Sequence, residues 1–240
     1  MTSDQYIALF ASLGACLSAL ATLWTVREMA KQRKAIFKPE LAVARRRFVT
    51  RPSFTSKQAD WFVNAGPSAN EQSLEKATLN LANVGLGAAK DVQIMWSFYV
   101  ADAVARFNNL AKEQSADARI SIDDGKITLD STEFGNVTSF WNNQIKKSYD
   151  YLLPAARQTD GIDLQIPHAY QMIISGFVAL SYKATSSQES PRLPTLDLSF
   201  SYLDIADNRH YANFALHVEL EVVAGGGEYF HAELIPTRAA

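Results

Sequence analysis

A mainly β fold is predicted: an N-terminal transmembrane helix followed by an antiparallel β-sandwich with one or two short helices. Three observations predict it. Residues 6–26 form a run of 21 with no ionisable side chain except Tyr6 and Cys16. From residue 40 onward, apolar residues recur at every second position in several separate stretches, the period of half-buried strands. With one cysteine among 240 residues, neither a disulfide framework nor a cysteine-rich metal site is open to the chain, so burial must hold the fold together.

The apolar run comes first. At about 1.5 Å per residue, roughly 20 residues cross a hydrocarbon core of about 30 Å, and a helix is the one single-segment structure that satisfies its own backbone there. Tyr6 and Trp24 lie near its ends, where amphipathic aromatics favour the interface. A cleaved signal peptide is the rival, since Ala19-Leu20-Ala21 resembles a cleavage site. It needs a basic leader, however, and the only charged side chain before the run is Asp4.

Charge fixes the expected topology. Residues 27–51 carry nine basic side chains against two acidic ones, net +7, whereas residues 52–240 carry 14 against 22, net −8. Cytoplasmic flanks keep Lys and Arg, so residues 1–5 are expected outside, the helix over 6–26 in the inner membrane and the rest in the cytosol. Within 27–39, a basic juxtamembrane helix or linker, Arg27, Lys31, Arg33 and Lys34 are the expected lipid headgroup contacts, each cation contributing on the order of 1 kcal/mol. The formal net charge of −2, with the basic cluster explained by an adjacent bilayer, argues against a nucleic-acid partner. Small residues also recur every fourth position in two rows, Ala11-Ala15-Ala19 and Gly14-Ser18-Thr22, along which membrane helices could pack closely, with Ser18 or Thr22 bonding across.

The helical pattern should run on toward Phe37 and stop at Pro39, which leaves Lys38 extended. A strand opens at Glu40-Leu41-Ala42-Val43, starting a domain over 40–240, and a loop over 51–75 is tied down by Trp61 and Phe62. Further strands are expected at 78–83 and 92–98, joined by a Gly-containing turn, with Val92, Ile94, Trp96 and Phe98 on one face. Val100, Val104, Phe107 and Ala111 fall at helical spacing. Asp124-Gly125 is the turn of a hairpin over 120–129, and it has too few oxygen ligands for a calcium loop. From Met172 on, the pattern reads as β: 172–182, 196–202, then 212–222 and 228–234 flanking Gly225-Gly226-Gly227. Such a series favours two packed sheets.

Three stretches carry a resemblance: Lys38-Pro39-Glu40-Leu41, residues 81–89 with Asn83-x-Gly85-x-Gly87 leading to Asp91-Val92, and residues 201–205 before Tyr211. The chain resembles a loose group of uncharacterised bacterial single-pass membrane proteins with a cytosolic Ig-like β-sandwich. That resemblance implies fold and not chemistry. Asn208-Arg209 stands where a glycine-containing turn is more usual.

Chemistry is sparse. His217 and His231 are expected to face each other across the final hairpin, and a metal there would need Glu219 or Glu233 as well. Neither glycine-rich run opens a helix as a phosphate loop does, and no Gly-x-Ser-x-Gly elbow is present. No catalytic, cofactor-binding or metal-binding residue is assigned. The expected function is that of a non-enzymatic, membrane-anchored homo-oligomer whose cytosolic domain binds a protein partner or signal. One version is a membrane-disrupting effector of bacterial antiviral defence. The alternatives are a scaffold or accessory subunit of a larger membrane complex, and a metal-assisted enzyme using the final hairpin.

Overall fold

The computed structural model describes residues 3–50, 60–63, 75–132, 135–141, 145–155, 161–183, 192–224 and 229–239. Helix α1, Ser3–Ile36, holds the whole apolar run and continues through the basic stretch before stopping ahead of Pro39. At 1.5 Å per residue its 34 residues span about 51 Å, of which about 15 Å lies beyond Val26. This helix is long and apolar enough to cross a membrane, and none of its apolar window is buried.

The rest of the chain folds as an antiparallel β-sandwich. The large sheet has the order β2 (Arg46–Thr50), β12 (Tyr229–Arg238), β11 (Arg209–Ala224), β10 (Leu196–Leu203), β4 (Ala89–Ser97), β8 (Ile145–Leu152). A small sheet pairs β1 (Leu41–Val43) with β3 (Thr78–Asn83) and β3 with β9 (Ile162–Gln165). Only Ala44 and Arg45 separate β1 from β2, so the chain passes at once from one sheet to the other. The period-2 reading is met strand by strand. Leu198 lies opposite both Phe214 and Trp96, Phe200 opposite both Ala212 and Ile94, and all six are buried on one face. A third sheet, β5 (Ala118–Asp123), β6 (Lys126–Ser131) and β7 (Gly135–Phe140), carries the expected hairpin, with Asp124 and Gly125 both at positive φ. The glycine triplet at 225–227 lies outside the described residues, as does most of the loop over 51–75.

One element departs from the sequence reading. Residues 172–182 belong to a helix, α3 (His168–Lys183), and not to a strand. All ten residues from 171 to 180 are buried, so apolar side chains occupy every phase and the even-numbered subset imitates a strand. Pro167 opens the helix, its carbonyl accepting from the Tyr170 and Gln171 amides. Being enclosed, α3 meets several layers. Ser175 Oγ lies 2.8 Å from Thr50 Oγ1 and accepts from Trp61 Nε1 at 3.1 Å, while Gln171 Oε1 accepts from the Trp61 amide. On another side, a Cβ on Gly176 would come within 2.9 Å of the Phe107 ring. Phe107 belongs to α2 (Val100–Glu113), whose buried Val104, Phe107 and Ala111 are those the helical spacing predicts. Trp61, fully buried, stacks on Phe48 at 3.9 Å and meets Tyr170 edge-on, so it ties its segment to the core as expected.

Candidate functional site

The three sequence stretches that carry the resemblance converge in space, where α1 enters the domain. The Phe37 amide closes the helix by donating a hydrogen bond to the Arg33 carbonyl, and Pro39 and Glu40 lead directly into β1. Asn83, at the end of β3 and fully buried, bonds in four directions. Its Oδ1 accepts from the Glu40 and Gly85 amides, both at 3.1 Å, while Nδ2 donates to the carbonyls of Gly87 at 2.7 Å and Leu152 at 3.1 Å. The Val84 amide donates to the Glu40 carbonyl. One side chain thus joins the start of the domain, the glycine loop and the end of β8.

The glycines have a spatial reason. A Cβ on Gly87 would fall on the Phe37 carbonyl oxygen, and one on Gly85 would fall on the backbone of residues 38–40. Only a bare Cα lets the loop lie against the helix exit. From the large sheet, Tyr202 donates its hydroxyl to the Pro39 carbonyl over a long 3.4 Å, and Arg238 pairs with Glu40 at 3.1 Å. Burial, only partly opposed by the Arg238 guanidinium, pushes the Tyr202 phenol up, so it remains a donor.

Beside this clamp the β10–β11 turn is built without glycine. Asp207 takes φ 62°, and Asp204 replaces backbone freedom with side-chain bonds. Its carboxylate accepts from the amides of Ala206 and Asn208, from Asn208 Nδ2, and pairs with His210 Nε2 at 3.1 Å. Burial by itself would raise the Asp204 carboxyl, but these bonds outweigh it and hold the group well below the usual carboxylate range. The His210 ring stacks on Tyr202 at 5.5 Å, which links the turn to the junction. Because the folded-state value is depressed, the stabilisation from Asp204 is fully present above about pH 4 and is lost as pH falls further. Asp204→Asn should therefore cost about 1–2 kcal/mol at neutral pH, with a flatter acid limb. Thermal melts of both proteins between pH 7 and pH 3 measure this, and parallel acid limbs would refute the assignment.

The residues predicted to pack membrane helices, Ala11, Gly14, Ala15, Ser18, Ala19 and Thr22, all lie on α1. Spacings of three and four place both rows on one side, and a Cβ on Gly14 would meet open space. Thr22 Oγ1 already donates to the Ser18 carbonyl at 2.9 Å, so its proton is used within the helix and does not reach across to a neighbour. Arg27, Lys31 and Arg33 are exposed on the helix beyond the apolar run, Lys31 pairing with Glu28 at 3.6 Å. Lys34 falls within α1, but its side chain lies outside the described residues.

The expected histidine pair does not form. His217 lies opposite Ile235, Glu219 opposite Glu233, and His231 opposite Val222 beyond a β-bulge. Four residues of strand, about 13 Å, separate His231 from the partner of His217. The hairpin pairs four to five residues further along than a direct His–His match requires. Among the described residues, no group of three or more His, Cys, Asp or Glu is placed to hold a metal ion. The turn at 84–87 is legible in the sequence but the clamp is not, although a buried-type Asn ahead of two spaced glycines is an available signal. No family model, curated protein or solved structure matches the chain.

Proposed function

We propose that the protein is a single-pass membrane anchor with a cytosolic β-sandwich that receives a partner or signal and transmits it to an oligomer of α1 helices. The observation that carries this reading is the junction. Asn83, Gly85 and Gly87 hold residues 37–40 against the domain, so no free linker separates sandwich from helix, and a displacement of one moves the other. The positive flank supports an N-out, C-in orientation in the inner membrane. In an upright helix Arg27 and Lys31 would fall within the headgroup layer and Arg33 just above it, while Lys34 is kept as a headgroup contact on its place in the sequence alone. The small residues on α1 support self-association in lipid, with Ala11, Ala15 and Ala19 beside Gly14, Ser18 and Thr22.

In the version where the oligomer disrupts membranes, as an effector in bacterial defence would, the helices are the acting part. Purified protein added to dye-loaded vesicles is then expected to cause leakage. Deleting residues 1–35 should abolish it, and Gly14→Leu or Ala15→Leu should lower it together with self-association in an in-membrane reporter assay. Leakage that survives the deletion would remove the effector version, and association unchanged by either leucine would remove the helix-packing surface.

A further inference from the structure

A cleft of about 280 Å³ opens beside the junction, between Lys38, Glu40 and Leu86 on one side and His210, Tyr211 and Arg238 on the other. We propose that this cleft binds a phosphate-type anion, held between Lys38 and Arg238 with its organic part against Tyr211 and Leu86. The proposal rests on the reading above and deepens it by giving the received signal a site and a chemistry.

Charge is the first ground. The lining of this cleft is net positive, with two cations, Lys38 and Arg238, against one carboxylate, Glu40. Among the described residues Lys38 has no ion-pair partner, so its ammonium is free to meet an anion. Among the described residues Arg238 pairs only with Glu40, and both are more than half exposed, a type of pair worth little, so an incoming phosphate can displace Glu40 and take the guanidinium fork bidentately. His210 is held at 3.1 Å by Asp204, whose carboxylate is already taken up by its own turn, so Asp204 is not a free competing anion in the cleft. Tyr211, two-thirds exposed, and Leu86, more than half exposed, supply an apolar wall that no other part of the described chain covers. The size suits a small phosphomonoester, at the lower end of ligand cavities.

Height decides between a lipid headgroup and a solute. Lys38 lies twelve residues beyond Val26, about 16–18 Å along the axis. The headgroup layer reaches only about 5–8 Å past the hydrocarbon, and even at a tilt of about 40°, the upper end of the observed range, the cleft stays about 12 Å above the hydrocarbon edge. The expected source is therefore a soluble phosphorylated compound, and the bilayer is the lesser candidate.

Ligand occupancy is read as a rise in melting temperature of the full chain in dodecyl maltoside, titrated with inorganic phosphate, with phenyl phosphate, or with added phosphatidylglycerol against phosphatidylcholine. Phenyl phosphate is expected to give a saturable rise, tighter than inorganic phosphate, with half-saturation weakened about tenfold in Arg238→Gln and in Lys38→Gln and unchanged in Lys126→Gln on the distant hairpin. A rise with phosphatidylglycerol alone, lost in the same two variants, would also support the anion site and would assign its source to lipid. No response that depends on Lys38 or Arg238 in either arm would overturn the proposal. Since the detergent measurement does not require α1 to span a bilayer, that failure would count against the cleft and not against the anchor.

Discussion

Asn83→Asp is expected to lower the melting temperature by about 10 °C. The substitution keeps size and shape but turns the donor face of the amide into a carboxylate oxygen aimed at the carbonyls of Gly87 and Leu152. Two buried acceptors lose their donor and a charge is placed against them, a combination costing about 3–4 kcal/mol. For a domain of this size each kcal/mol moves the melting temperature by about 2–4 °C. Asn83→Ala should cost less than the aspartate, because it removes the bonds without adding repulsion. If both variants melt within a degree or two of the parent, the junction is not held by this side chain.

The second large effect is expected from Gly87→Ala. A methyl group there meets the carbonyl of Phe37, which is backbone and cannot swing aside as a side chain can, so either the loop or the helix exit must shift. Overpacking of this kind costs about 1–3 kcal/mol, occasionally more. Two readouts are useful together. Melting reports the cost to the domain, and limited trypsin cleavage after Arg33 and Lys34 reports release of the helix end. Faster cleavage, a lower melting temperature, or both are expected. An alanine that changes neither would mean that the loop does not bear on the helix exit. Gly14→Ala, whose Cβ meets nothing, is the matched control.

These two residues also mark the boundary of what the sequence can tell. The stop of α1 before Pro39, the alternation of Val92, Ile94 and Trp96, and the Asp124-Gly125 turn are readable because each signal is local. The helix α3 is not, since a segment buried on all sides has no polar phase to reveal its period. Nor is β8, an edge strand in which consecutive Lys146 and Lys147 are both exposed and the alternation is broken. The clamp is hidden for a different reason. Asn83 and Glu40 are 43 residues apart, and a turn-like Asn-x-Gly-x-Gly reads the same whether it merely reverses the chain or cradles another backbone. In the final hairpin both histidines do lie on strands, but side-chain alternation fixes only the face and not the register between strands, and a slip of a few residues is enough to separate them.

Everything functional here depends on α1 crossing the bilayer with the sandwich on the cytosolic side, and single-cysteine labelling tests that directly. In a Cys16→Ser background, Ser3→Cys and Asn213→Cys place a thiol before the span and on the exposed face of β11. With a membrane-impermeant maleimide on intact spheroplasts, Ser3→Cys is expected to label at once and Asn213→Cys only after permeabilisation, while Cys16 of the parent chain stays unlabelled in both. Labelling of Asn213→Cys in intact spheroplasts, or recovery of the full-length chain in the soluble fraction, would contradict the proposed topology.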